Sequence, residues 1–311
     1  MDPLVPTYVQ MKAAYLGGRG QRWLRDLPAT IAGLERHWSV VVRESVSGGS
    51  EAFVARVTRR DGTGAVLKLP LPDRDVAAEA DILRRAGGNG YVRLLAFDAD
   101  CGAMLLEELG PALDGSGLGP ESQLDVLADA LALAWAVGPG VGEGVPTDKA
   151  LALGRFIEAA WRRLTEPCAD VVVHAALACA ERRSAGFDRS AAVLVHGDPH
   201  AANAFRVPAP RVGAPHGFVL IDPEPFLGDR QYDLGVALRG WCAQVLAAPH
   251  PVCLTERFAR RLAAHTGLDE HAVWEWAYLE RVSTGLYCLD VGMTDVGRRF
   301  LQSAARLAGA V

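Results

Sequence analysis

Residues 194–205 read LVHGDPHAANAF. An apolar run, Ala192 to His196, has the pattern of a short strand, and it delivers His196, Gly197 and Asp198 at its end. Asn203 follows five residues after Asp198, and nineteen residues later LIDPEP carries Asp222 at the end of a second apolar run, GFVLI. Two carboxylates and one amide, all beside strand ends, can converge on one point. Asp222 and Asn203 are oxygen donors of the kind that hold Mg²⁺ with phosphate. Asp198 is placed to accept a hydroxyl proton. Such a set is what phosphoryl transfer needs: a metal to neutralise charge and a carboxylate to orient the attacking oxygen. A lone Asp is usually a turn or cap residue. The order and spacing of this set argue for more.

The chain around this segment has 311 residues, long enough at roughly 100–200 residues per domain for two lobes. Apolar residues make up 50% and charged ones 22%, which excludes general disorder. A net charge of −5 argues against a nucleic-acid partner and suits a small cationic one. Neither a membrane span nor a secretory leader is expected: Pro139 interrupts the most apolar helical stretch, and the first residues lack a basic-then-apolar pattern. The six cysteines form no CxxC pair and read as free thiols of a reducing compartment.

Upstream, the pattern predicts an antiparallel meander over 38–46, 52–59 and 65–69, with DGTG at 61–64 as a hairpin turn. A helix from Asp75 to Ala86 and strands over 91–98 and 103–109 follow. Residues 1–37 read as a helical extension broken at Gly17-Gly18 and Pro28. The glycine-rich stretch after Leu109 is taken as a boundary, giving lobes over 1–110 and 111–311. The second is mainly helical, so the expected class is α+β. A cleft is expected at the junction.

Lys68 stands in the apolar strand VLKLP, in a chain whose only other lysines are Lys12 and Lys149. Such a lysine often faces water from an edge strand. Its alternative role is a compact positive charge directed at nucleotide phosphates. That role needs an anion to hold it. Glu79, with Val76, Ile82 and Leu83 to dock its helix, is preferred over Asp75 and Asp81. The turn Ser47-Gly48-Gly49-Ser50 offers backbone amides to phosphates, although it is not a P-loop. The strand ending in Glu107 and Leu109 offers backbone to an adenine edge. His196 reads as a support packed under the 196–203 loop. A zinc reading of His196 and His200 is disfavoured, because Gly197 and Pro199 oppose the helix that such spacing requires.

Together these residues resemble the aminoglycoside phosphotransferases, a branch of the protein-kinase-like superfamily. HGDPHAAN stands where that family has H-G-D-x-H-x-x-N, IDPEP where it has its metal-binding Asp, and GDRQYDLG where it has D-x-x-x-D. RDGTGAVLKLP, YVRLL, AMLLEELG and IDPEPFLGDRQYDL are most similar to the streptomycin 6-kinase and hydroxyurea-resistance branch. The resemblance implies a bilobal kinase fold that uses ATP and Mg²⁺. Asp198 would be the base, Asn203 and Asp222 the metal ligands, Lys68 with Glu79 the phosphate grip, and Asp233 a brace for the catalytic loop. Pro199 departs from many relatives, and the glycine turn is short. The acceptor would be an aminoglycoside such as streptomycin. Acidic residues over 269–295, interleaved with Trp274, Trp276 and Tyr278, would meet its cationic groups. Asp290 and Glu224 are the chosen acceptor contacts. Other small hydroxyl compounds (hydroxyurea, a peptide antibiotic, choline, a sugar) remain open as acceptors, as does a nucleotide-binding regulator without catalysis. A metallophosphoesterase would want a downstream G-N-H-[DE] segment, which the chain lacks. The protein is expected to work as a cytoplasmic monomer.

Overall fold

The DGTG turn nucleates the first sheet. Gly62 takes a positive φ of 83°, Asp61 accepts the Thr63 amide at 3.0 Å, and the amide of Arg59 donates to Thr63 at 2.8 Å. In the computed structural model, which describes residues 5–46, 52–72, 76–140 and 148–310, this turn joins β2 (Ala52–Arg59) to β3 (Gly64–Pro70). With β1 (Val40–Ser45), β4 (Leu94–Asp98) and β5 (Ala103–Glu107) they form one antiparallel sheet ordered β1-β2-β3-β5-β4. Alternation along β2 sends Phe53, Ala55 and Val57 to one face, where they pack with Leu67 and Leu69.

Helix α2 (Gly18–Trp38) covers that face with Leu27, Ile31 and Leu34, after a first helix α1 (Thr7–Tyr15). The expected break at Pro28 does not occur: α2 runs through it. Losing one helical hydrogen bond costs about 3 kcal/mol. Three buried aliphatic side chains, at about 1.5–3 kcal/mol each, outweigh that loss. Helix α3 (Val76–Ala86) buries Glu79, Ala80, Ile82 and Leu83.

The described chain divides into two units, 1–110 with 206–219, and 111–205 with 220–311. The expectation of a single boundary at 110 did not include the return of 206–219 to the first unit. Arg211 fastens that excursion: its guanidinium reaches Glu107 at 2.6 Å and the Tyr91 carbonyl at 3.2 Å.

The second unit is helical: α4 (Pro120–Trp135), α5 (Lys149–Arg163) and α6 (Asp170–Ala185) precede the short strand β6 (Val193–Val195), while β7 (Ala204–Arg206) leads out to the 206–219 excursion and β8 (Phe218–Leu220) leads back from it. A further strand, β9 (Phe226–Gly228), pairs antiparallel with β6. Helices α7 (Arg230–Arg239), α8 (Cys242–Ala247), α9 (Pro251–Thr266), α10 (Glu270–Asp290) and α11 (Thr294–Ala305) complete it. Helix α10 is the axis of this unit, buried along most of its length and packed by α5, α6, α7, α9 and α11. Its composition is therefore apolar on several faces rather than one. Among the described residues no helix is long and apolar enough to cross a membrane.

Candidate active site

In the first unit, Lys68 lies on the central strand, opposite Val54 on one side and Met104 on the other. It is not an edge residue. Its ammonium meets the Glu79 carboxylate at 2.6 Å, with both side chains almost wholly buried. Asp81, a competing candidate, instead pairs with Arg84 and Arg85 on its own helix, and Asp75 lies outside the described residues. A buried ion pair gains little stability over well-packed apolar side chains. Its presence in the middle of a sheet points to a use for the charge.

The side chain of Glu107 is committed elsewhere, accepting the Arg93 amide at 2.8 Å and the Arg211 guanidinium. Leu109 packs against Val207, Ala214 and Val219. What this segment can offer a nucleotide edge is therefore backbone. Ser47, Gly48, Gly49 and Ser50 lie outside the described residues.

In the second unit, β6 delivers the His196-Gly197-Asp198 loop, which is held from several directions. The buried Asp233 carboxylate accepts the amides of His196 (2.8 Å) and Gly197 (2.9 Å) and the Trp135 indole N–H (2.8 Å). Burial pushes its carboxyl up to about 6, against the pull of those donors. The His196 ring donates through Nε2 to the Ile221 carbonyl at 3.0 Å and accepts the Asp198 amide at Nδ1 at 3.1 Å. The two partners select the neutral ring, and burial lowers its pKa to about 4. Both ring nitrogens are thus in use, which is why a zinc-ligand role does not fit His196.

Gly197 has a φ of +90°, and a Cβ there would lie 2.1 Å from the Glu224 carbonyl oxygen. Only glycine allows the loop to approach the 221–224 segment this closely. The Glu224 amide returns a bond to the His196 carbonyl at 2.7 Å, while its own residue is exposed. Asn203 donates from Nδ2 to the Asp198 carbonyl (3.0 Å) and to Asp198 Oδ2 (3.3 Å). The Ile221 amide donates to the Asn203 carbonyl at 2.9 Å. The backbone at Asp222 takes a left-handed φ of 54°, a conformation that Asp tolerates better than most residues. Residues 198, 203 and 222 are thereby drawn into one neighbourhood. With Nδ2 of Asn203 donating to Asp198, its Oδ1 makes neither of these bonds. An amide oxygen and a carboxylate are hard donors, the chemistry that suits Mg²⁺, which keeps several waters and takes phosphate oxygens.

The acidic C-terminal residues land differently from the expected acceptor wall. Trp274, Trp276 and Tyr278 are buried, Trp274 stacking on Tyr278 with ring centroids 5.6 Å apart. Glu275 is fully buried against Arg182 and Arg183. Asp269 caps α10 through the His271 amide. Asp290 accepts a bidentate bond from Arg163 at 3.1 and 2.7 Å. It lies ten residues beyond Glu280 on α10, roughly 15 Å along the axis. Of these acidic residues only Glu275 and Glu280 are buried; Asp269, Glu270, Asp290 and Asp295 are exposed, at or beyond the helix ends.

One residue of this site, Arg239, escapes the motif reading. Asp198 Oδ1 accepts a short bond from Arg239 on α7, and Arg239 Nη1 bonds Glu280 Oε2 on α10 at 3.0 Å. His200 stands 3.3 Å from Asp198 Oδ2. Burial alone would raise the Asp198 carboxyl, yet Arg239 and His200 hold it well below the usual carboxylate range. The available signal was an arginine inside the apolar run GVALRGW, the same kind of signal that drew attention to Lys68.

Comparison with known proteins gives the family. Residues 37–292 match the model of the aminoglycoside/hydroxyurea antibiotic resistance kinases, and the chain belongs to that family. It is a phosphotransferase of the kind that acts on hydroxyl groups. A streptomycin 6-kinase of Streptomyces glaucescens is 30% identical over 310 residues, covering 99% of this chain and 96% of that one. A hydroxyurea phosphotransferase of Kitasatospora aureofaciens is 32% identical over 245 residues, covering 74% of this chain and 66% of that one. Among solved structures, a choline kinase of Streptococcus pneumoniae shares the fold with a TM-score of 0.63 at 16% identity, covering 92% of this chain and all of that one. A spectinomycin phosphotransferase, solved with ADP and spectinomycin, shares it at 0.61 and 15% identity, covering 91% and 97%.

Proposed function

We propose that the protein transfers the γ-phosphoryl group of ATP to a hydroxyl of an aminoglycoside, streptomycin at its 6-hydroxyl before others, and so inactivates the drug. The observation that carries this reading is the Asp198–Asn203 contact, beside the left-handed Asp222, on a loop held by His196 and Asp233. The choice of acceptor rests on similarity to a streptomycin kinase along nearly the whole of both chains.

Asn203 and Asp222 would hold Mg²⁺, which neutralises phosphate oxygens when bound. Lys68, steadied by Glu79, directs its ammonium at nucleotide phosphates. Asp198 orients the acceptor hydroxyl and takes its proton as the new O–P bond forms and the bond to the ADP oxygen breaks. The Asp198 carboxyl is ionised at neutral pH, so it is ready to accept. Hydroxyurea is the second reading, because that relative is slightly more identical over the shared region.

The test is turnover with ATP and Mg²⁺ over a panel holding streptomycin, spectinomycin, hydroxyurea and choline, read by mass spectrometry of the acceptor. A phosphorylated streptomycin formed faster than the others is expected. Streptomycin recovered unchanged, with hydroxyurea converted, transfers the assignment to the second reading. No product with any acceptor discards the reading.

A further inference from the structure

We infer that Arg239, fixed by Glu280, is a positioning residue that sets the plane of the Asp198 carboxylate and leaves Oδ2 as the oxygen that receives the proton. This rests on the reading of Asp198 as the base.

The argument begins where α7 crosses α10. A Cβ on Gly235 would lie 2.4 Å from Trp276 Cβ and 2.7 Å from the Trp276 carbonyl carbon. The two helices therefore approach as closely as their backbones permit. One turn further along each helix stand Arg239 and Glu280, at i+4 from Gly235 and Trp276, where side chains share a face. Their bond is 3.0 Å, and both side chains are largely withdrawn from solvent, at 15% and 5% exposure. The remaining arm of the guanidinium reaches Asp198 Oδ1.

Asp198 is thus gripped at both oxygens. Oδ1 has Arg239; Oδ2 has the Asn203 amide and His200, each at 3.3 Å. An aspartate left to itself has a broad, two-fold χ2 preference. Here a charge-assisted bond on one oxygen stops that rotation. Both partners of Oδ2 stand at 3.3 Å, the long end of hydrogen bonding, so an incoming hydroxyl can displace them from that oxygen.

Glu280 has a separate task. A guanidinium is a rigid planar fork, and with one arm on Glu280 its other arm has a fixed direction. A lysine would bring the charge but could not bridge both carboxylates in one plane. Tyr232 supports the same loop, its hydroxyl donating to the Gly197 carbonyl at 3.3 Å, but it does not reach the carboxylate in this way.

Four variants test the inference: Arg239→Gln, Arg239→Lys, Glu280→Gln, and the double Arg239→Gln with Glu280→Gln. Each is measured for kcat, KM for ATP and acceptor, and melting temperature. Arg239→Gln is expected to lose about 100-fold in kcat, the scale of a mis-set reacting group, with both KM values unmoved. Arg239→Lys should recover part of that loss. The double variant removes the Glu280 charge that Arg239→Gln leaves uncompensated, and Asp198 keeps Asn203 and His200 as partners, so it should melt closer to the parent than Arg239→Gln does while kcat stays low. It also serves as the measurement if Arg239→Gln alone does not fold. A double variant that regains kcat together with its melting temperature would show charge compensation only and overturn the inference. So would a folded Arg239→Gln with the parent's kcat. A parent that phosphorylates no acceptor overturns the reading of Asp198 and this inference with it, whereas an active parent with indifferent variants overturns this inference alone.

Discussion

Each of the two units buries charge, and they do so differently. In the first, Lys68 and Glu79 form a pair between neighbours eleven residues apart, one on a central strand and one on the helix that follows. In the second, Arg239 stands between Asp198 and Glu280, each 41 residues away in the chain. The ammonium is a compact point charge on a flexible stem. The guanidinium has both arms spent on protein. The first arrangement suits a charge meant for a ligand, the second a charge meant to hold another residue still.

The comparison breaks most visibly if the carboxylate that Arg239 holds is not the base. Asp198→Ala is expected to lower kcat by roughly 10²–10⁴-fold, the usual contribution of a general base, with nucleotide affinity kept in a binding titration. In Lys68→Met the expected damage is to both stability and nucleotide binding. Leaving the buried Glu79 of α3 without the Lys68 charge costs about 3–5 kcal/mol in a denaturant melt. The double change Lys68→Met with Glu79→Leu should restore stability and leave ATP affinity poor. If the double variant bound ATP like the parent, the lysine charge would have no ligand role.

The loop that carries Asp198 can be probed through its other supports. Adding a methyl at Gly197→Ala forces it against the Glu224 carbonyl and should cost at least about 2 kcal/mol by thermal melting, together with activity. His196 makes stability depend on pH. Its pKa is about 4 in the fold against 6.5 for an ordinary histidine, so the unfolded chain takes up a proton that the folded one refuses. Its contribution is intact above pH 6.5 and is lost as pH falls towards 4, by about 3 kcal/mol in total at ~1.36 kcal/mol per unit. Against His196→Gln, the parent's melting temperature should drop more steeply across that window. The smallest effect is expected at Asp290→Ala. Breaking its exposed pair with Arg163 should cost about 0.2–1 kcal/mol and leave the acceptor KM unmoved, since Arg163 already occupies both carboxylate oxygens.

Much of this was readable before any coordinates. The DGTG turn and the alternation along 52–59 mark a hairpin because both signals are local. The Lys68–Glu79 pair was legible because strand and helix adjoin in sequence. Pro28 misled because helix propensity is local while burial of Leu27, Ile31 and Leu34 is not. The acidic residues of α10 could not be sorted from sequence for a similar reason: the same letters stand for the exposed Glu270 and for the buried Glu275 and Glu280, whose charges are met by arginines from other helices.

The chain order alone determined that an oxygen-ligand set sits next to a candidate base, because HGDPHAAN and IDPEP place those groups at strand ends whatever surrounds them. Tertiary structure decided what holds that base, since Arg239 and Glu280 become its neighbours only where Gly235 lets α7 lie against α10. Hydrogen-bonding groups a few residues apart are constrained by backbone geometry. Those 41 residues apart meet only through the packing of the helices between them.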